Sequence, residues 1–253
     1  MKILFVGPRG SDPSTTALQT QLVEMVEAAA ARGHRVRLVQ PRVGGATMRR
    51  PESVSCDFVD TREPPFRKVA ERLVDIPTER TLSARLREDP PEVVHVHGFG
   101  GRSSYLSPWL GERLGYPVVI AVVDELALLC HRETLIDAAG APCEVVDDPA
   151  RCRRCCRAAD RNALGRFGAV LARLTSPLRG IGPYPTVNAF ANRLDMVSHG
   201  LSTADVVCVR DAGIADRLVR MGVPSRGLRS PIAAPKSTAW DEVWRQAIAL
   251  HAG

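Results

Sequence analysis

The chain reads as an α/β protein, a doubly wound and mainly parallel Rossmann-like sheet that carries a cysteine-rich insert. Three observations predict this. Runs of strand length, among them Lys2–Val6, Arg35–Val39, Val93–His97 and Pro117–Val123, alternate with longer stretches of helical spacing. Pro117–Val123 is apolar throughout rather than alternating, as a strand in the middle of a parallel sheet requires. Five of the seven cysteines then fall within residues 130–156, directly after the Pro117–Val123 run.

Each element follows in order. Lys2–Val6 ends at Gly7-Pro8-Arg9-Gly10, and the helical spacing of Leu18, Leu22, Met25 and Val26 predicts a helix over 17–32. Gly33-His34 stops it, and Arg35–Val39 resumes as a second strand, so a crossover unit is complete. Pro41, Gly44, Gly45, Pro51, Pro64 and Pro65 predict a long loop around one short strand over 54–59. Helices are expected over 67–73 and 81–87, before the strand that ends at His97 and the loop Gly98-Phe-Gly-Gly101. A helix over 104–114 leads into Pro117–Val123. After the insert come helices over 157–174 and 190–201, the strand Ala204–Val209, a helix over 214–221 closed by Gly222-Val-Pro224, and an amphipathic tail helix with Trp240, Val243, Trp244 and Leu250. The domain expectation is a body over 1–235, an insert over 125–157 and a tail helix within 236–253.

Composition narrows the function. The 253 residues are 45% hydrophobic, enough for a packed core, and no stretch reaches the roughly 18 uninterrupted apolar residues of a membrane span. The formal charge is +6, and Lys2, Lys68 and Lys236 are the only lysines, so arginine carries nearly all the positive charge. The arginines are scattered, and at 5% aromatic content there is no stacking platform for single-stranded nucleic acid, so no nucleic-acid partner is expected. A basic face gripping phosphates or an anionic membrane surface fits better. Nothing at the amino terminus resembles a secretory signal, which predicts a cytoplasmic setting where thiols stay reduced, with the inner face of the membrane as a peripheral location.

In an open α/β sheet ligands sit outside the carboxyl ends of the strands. Here that means residues 7–16, 97–102, 124–129 and 210–213. His97 at a strand end is a candidate to hydrogen-bond a ligand hydroxyl, on the same side as His95. Asp124 is a candidate base or hydroxyl-orienting carboxylate, or else the cap of the next helix. Gly7, Gly10 and Ser11 offer a loop and helix start suited to an anion, and Gly98 and Asp211 stand in equivalent loops. Trp240 and Trp244 share one helix face, which either packs onto the domain or anchors a partner.

Cys152-Arg-Arg-Cys155 has the spacing that points two thiolates at one metal, and Cys130 and Cys143 complete a four-thiolate set. A full thiolate shell leaves no open position for water, so the expected ion is a structural zinc. An iron–sulfur cluster, disulfides and plain free thiols are the alternatives, and Cys156 is a spare ligand or a filler. Arg151, Arg153, Arg154 and Arg157 interleave with these cysteines and favour thiolates.

The pieces Ile3-Leu-Phe-Val-Gly7, Arg32-Gly-His-Arg-Val36, Pro91-Glu-Val-Val-His-Val-His-Gly98, Tyr116-Pro-Val-Val119, Ala204-Asp-Val-Val207 and Gly222-Val-Pro224 together resemble the amino-terminal domain of retaining GT-B glycosyltransferases. Leu129-Cys-His-Arg-Glu-Thr-Leu135, with Gly140, Cys143, Cys152 and Cys155, looks like the cysteine-rich insert of one subgroup. The resemblance implies an acceptor-binding half that works with a nucleotide-sugar-binding half. Ser230-Pro-Ile-Ala-Ala-Pro-Lys236 matches the start of an interdomain linker, and the donor-binding half is expected on a partner, reached through the open crevice or the Trp240/Trp244 helix. The chain departs from the family pattern in three places. Ser11–Thr16 replaces a glycine pair, Val123 stands where histidine commonly precedes the aspartate, and Asp211 replaces a serine. These departures leave two expectations, half of a split glycosyl transfer system or a non-catalytic descendant that binds a glycan, a nucleotide or a partner enzyme.

Overall fold

The computed structural model describes residues 1–9, 16–43, 51, 54–61, 74–99, 104–122, 128–130, 135–143, 148–159, 186–229 and 234–253. Its centre is a seven-stranded sheet: β1 (Lys2–Val6), β2 (Arg35–Val43), β3 (Ser55–Thr61), β4 (Val93–His97), β5 (Val118–Ala121), β6 (Val206–Cys208) and β7 (Leu228–Arg229). The order is β3-β2-β1-β4-β5-β6-β7, and every pairing is parallel. The helices described are α1 (Thr16–Ala31), α2 (Ile76–Glu88), α3 (Leu106–Arg113), α4 (Val187–Ser202), α5 (Ala212–Arg220) and α6 (Ala239–His251). This is the doubly wound arrangement expected from the alternation of runs.

Strand alternation sorts the core into two layers. Leu4, Val6, Val94, Val96, Val118 and Ile120 face one side, where Leu82 and Leu86 of α2, Val197 and Leu201 of α4 and Leu218 of α5 cover them. Ile3, Phe5, Val93, Val119 and Ala121 face the other, under Leu22, Met25 and Val26 of α1 and Trp240 and Trp244 of α6. Both tryptophans are fully buried. They therefore belong to the core and leave no aromatic stripe for a partner, which corrects that branch of the expectation. The tail helix is accordingly an integral layer of the domain.

Polar contacts fix α6 at both ends. Asp241 accepts from Arg32 Nε at 3.1 Å and pairs with His34 Nε2 at 3.1 Å, while His251 Nδ1 lies 3.3 Å from Asp205. Asp205 also accepts the Val118 N–H at 2.8 Å, which joins this clasp to the amino end of β5.

Several boundaries differ from the sequence reading. Beyond Val39, β2 continues through Val43 along β3 alone, where the absent N–H of Pro41 is tolerated as on an edge. α2 starts at Ile76 rather than 81, with Pro at its first turn, a position where a missing N–H costs nothing. The helix expected over 67–73, and most of that expected over 157–174, lie outside the described residues.

Candidate functional site

The strand order reverses between β1 and β4, and the crevice of a doubly wound sheet opens at their carboxyl ends. Val6 pairs with Val96, so Gly7 and His97 emerge side by side. His97 is 1% exposed, and neither of its ring nitrogens has a hydrogen-bond partner among the described residues. Buried polar atoms are normally paired, so two orphans on one ring require an explanation. Burial lowers the His97 pKa to about 4 and holds the imidazole neutral, able to donate through one nitrogen and accept through the other.

His95, two residues earlier on the same face, is in a different situation. Its Nδ1 accepts the Trp244 indole N–H at 3.1 Å, and its ring meets Phe5 at 4.9 Å and Trp240 at 5.1 Å. That bond places the neutral-form proton on Nε2, which has no partner among the described residues. Burial pushes the His95 pKa well below its ordinary value, with a smaller push from His97. The two rings stack at 5.8 Å.

The glycines beside these residues have local structural duties. Gly7 donates its N–H to Val39 O at 3.0 Å, and a Cβ there would collide with the Gln40 amide and with Leu22. Gln40 Nε2 in turn donates to Pro8 O. Gly98 has φ 70° and donates to Ala121 O at 2.9 Å, which turns Phe99 down into the core against Tyr105. Neither N–H is therefore left to cradle an anion. Asp211 caps α5, its Oδ1 accepting the Ile214 N–H at 3.0 Å. Gly10, Ser11 and Asp124 lie outside the described residues.

A second polar group, not anticipated from the sequence, lines the same edge on the opposite face. Arg9 pairs with Asp75 at 3.2 Å, which ties the loop after β1 to the start of α2, and the Asp75 N–H donates to Ser104 Oγ at 3.3 Å. One turn on, Glu79 Oε1 accepts from Ser107 Oγ at 2.9 Å, while its Oε2 is buried without a partner among the described residues. Burial raises the Glu79 pKa to about 7, against the opposing hydrogen bonds of Ser104 and Ser107 and with help from the Asp75 charge. Glu79 also lines a groove of about 370 Å³ between α2 and α3, beside Ile76, Arg80 and Trp109. The helix was expected only over 81–87, so the sequence reading did not reach this carboxyl.

The insert is built from three described pieces: 128–130, a hairpin over 135–143 and a helical segment over 149–159. Ile136 bridges Pro142, Cys143 N–H donates to Leu135 O at 2.7 Å, and Asp137 Oδ1 accepts the N–H groups of Ala139 and Ala141 at 2.8 and 3.0 Å. Cys152 and Cys155 stand one helical turn apart. Burial pushes the Cys152 thiol up to about 11; Cys143, Cys130 and Cys155 add to the rise and the Arg193 guanidinium opposes it. No disulfide joins the described cysteines, so the disulfide alternative is not formed. Among the described residues no group of three or more His, Cys, Asp or Glu side chains is gathered tightly enough to hold a metal ion, so the expected ready-made thiolate cage is not present. Nor is any helix among the described residues long and apolar enough to cross a membrane.

Residues 18–122 match Glycosyltransferase Family 4. The matched stretch runs from α1 through β5 and includes His97, in agreement with the resemblance to a GT-B amino-terminal domain. No curated protein matches the sequence. Among solved structures, TcCGT1 in complex with UDP is 11% identical over 95% of this chain and 54% of its own, with a TM-score of 0.47. Anabaena Alr3699/HepE in complex with UDP-glucose is 9% identical over 90% of this chain and 43% of its own, at 0.44. UDP-N-acetylglucosamine 2-epimerase from Rickettsia bellii is 12% identical over 90% of this chain and 43% of its own, at 0.46. The chain thus spans well under two thirds of the length of these structures.

Proposed function

We propose that this chain is the acceptor-side half of a nucleotide-sugar-dependent glycosyl transfer system, completed by a donor-binding domain on a partner chain. The observation that carries the reading is His97, a neutral imidazole at the reversal point of a parallel sheet with both nitrogens unpartnered among the described residues. A sugar hydroxyl both donates and accepts, so it complements such a ring. The match of residues 18–122 to Glycosyltransferase Family 4 supports the same chemistry. In this reading His97 orients an acceptor hydroxyl, and Asp124 is the candidate base. The neutral imidazole is a poor proton acceptor at pH 7, because its pKa lies near 4. Positioning is its task.

One observation favours the non-catalytic alternative, a descendant that binds a glycan, nucleotide or enzyme without turnover. The Gly7 and Gly98 N–H groups and the Asp211 carboxylate are all engaged in the fold. The test is native capture of the full chain from its own cells, followed by reconstitution with any captured partner that carries a nucleotide-sugar domain. The proposal expects nucleotide-sugar consumption by the pair and none by either chain alone. Binding of such a partner without consumption rejects catalysis and selects the alternative.

A further inference from the structure

We infer that the groove between α2 and α3 is a docking face for an acidic amphipathic helix of a partner protein, which seats an apolar ridge against Trp109 and sets two carboxylates on Arg80 and Arg87. This stands apart from the sugar chemistry.

Two helices present facing stripes. On α2, Ile76, Arg80 and Arg87 stand four and then seven residues apart, the spacing of one helical face, and all three line the groove. On α3, Leu106, Trp109 and Leu110 hold the i, i+3, i+4 positions of the opposing wall. The space between them is about 370 Å³. Ile76 at its edge is 58% exposed, more than any other large apolar side chain among the described residues. Trp109 is only partly buried, in contrast to Trp240 and Trp244, which are sealed in the core. An apolar seam of this kind, rimmed by charge, marks a surface that another element covers.

Charge and length select the occupant. Arg80 and Arg87 are exposed and have no ion-pair partner among the described residues. Both acids of α2 are already engaged: Glu88 pairs with Arg85, and Glu79 accepts from Ser107 through Oε1 while its Oε2 is buried. Arg113 lies over the Trp109 ring, 5.2 Å from its centre, and adds to the positive rim. From Ile76 to Arg87 the α2 wall runs for roughly 16 Å, about three helical turns. A helix of that length fits ridge into groove, and carboxylates seven residues apart on it repeat the spacing of Arg80 and Arg87. A second copy of this chain, apposed through the same face, would bring arginine towards arginine. A flat anionic membrane would meet the rim and leave the concave floor beside Trp109 unfilled.

The experiment uses the full chain and its own fluorescence. Of the three tryptophans only Trp109 is not fully buried, so acrylamide quenching reads the groove. The probe is a synthetic helical peptide of about 14 residues with leucines along one face and two glutamates seven apart, set against the same peptide with lysines in their place. The glutamate peptide should shift the emission to the blue and shield Trp109 from acrylamide, and Trp109→Phe should remove both changes. Its affinity should exceed that of the lysine peptide by about tenfold or more. The double variant Arg80→Glu, Arg87→Glu should reverse that preference, and Ile76→Asp should abolish binding. These side chains are exposed, so the variants should melt as the wild-type chain does. No shielding by the glutamate peptide, or equal affinity for the two peptides, overturns the inference. Shielding by phosphatidylglycerol vesicles and by neither peptide assigns the face to a membrane and overturns it too. Shielding that grows with protein concentration alone, alongside a dimer in sedimentation, assigns it to a second copy with the same consequence. His97 enters none of these readings, so failure here leaves the sugar reading standing.

Discussion

The two faces of the sheet treat titratable groups by the same physics and reach opposite results. Under α6, burial removes protons from His95 and His97, and under α2 burial keeps a proton on Glu79. At pH 7 both histidines are neutral and Glu79 is about half protonated. The difference lies in what each group is left to do. His95 Nδ1 is committed to Trp244 and Glu79 Oε1 to Ser107, which leaves one unpaired atom on each, whereas both ring nitrogens of His97 lack a hydrogen-bond partner among the described residues. Burial alone therefore does not distinguish a site from a core. Unmet hydrogen-bonding capacity does.

The largest expected effect tests how firmly the α6 face is closed. Trp244→Ala removes a fully buried ring packed on Phe5 and strips His95 Nδ1 of its donor. Destabilisation of about 3–5 kcal/mol is expected from the denaturant midpoint. Trp109→Ala, on the partly exposed α3 surface beside Arg113, should cost about 1 kcal/mol or less. Similar losses at both positions would erase the contrast between a sealed and an open face.

Next comes pH. His97 binds a proton near pH 6.5 when unfolded and only near pH 4 when folded, so its contribution is intact above about 6.5 and is lost as pH falls towards 4. The loss amounts to roughly 3 kcal/mol at the acid end. His97→Leu should remove that slope, with stability above pH 6.5 equal or higher, because an unpaired polar ring is replaced by an apolar one. Glu79 has the opposite sign. Its proton stabilises the fold below about pH 4.5, and that advantage is lost as pH rises through about 7. Glu79→Gln should raise stability above pH 7 by roughly 1–3 kcal/mol and unmask a steeper histidine slope in thermal melts between pH 4 and 7. Variants that shift stability equally at every pH would show that neither group titrates as assigned.

The smallest effect is at Asp211. Asp211→Ala should cost about 1 kcal/mol as the loss of a helix cap and leave ligand binding unchanged. A binding defect larger than its stability defect would return this residue to the site.

Much of the fold was legible because it rests on local pattern. The apolar runs gave β1, β4 and β5 to within a residue or two, and Trp240 and Trp244 at helical spacing marked α6 as a layer of the core. β7, only two residues long, has no periodicity to read. The site was legible by position but not by state. Strand-end logic located His97, while its lack of a hydrogen-bond partner among the described residues depends on its placement in space. Glu79 escaped notice because α2 begins five residues earlier than its apolar spacing announces. Gly7 was read as an opening for an anion, whereas Gln40, 33 residues away on β2, is what excludes a side chain there. Arg193 gave no sequence signal, since its link to Leu128 spans 65 residues.

The most direct measurement of the central claim is nucleotide-sugar turnover by the reconstituted pair, with wild-type chain set against His97→Leu and with folding of the variant verified by its melt. The account predicts a loss of about tenfold or more in kcat/KM for the acceptor, the value of one hydroxyl hydrogen bond. Turnover by folded His97→Leu within about twofold of wild type would contradict it, because less than one ordinary hydrogen bond would then have been removed.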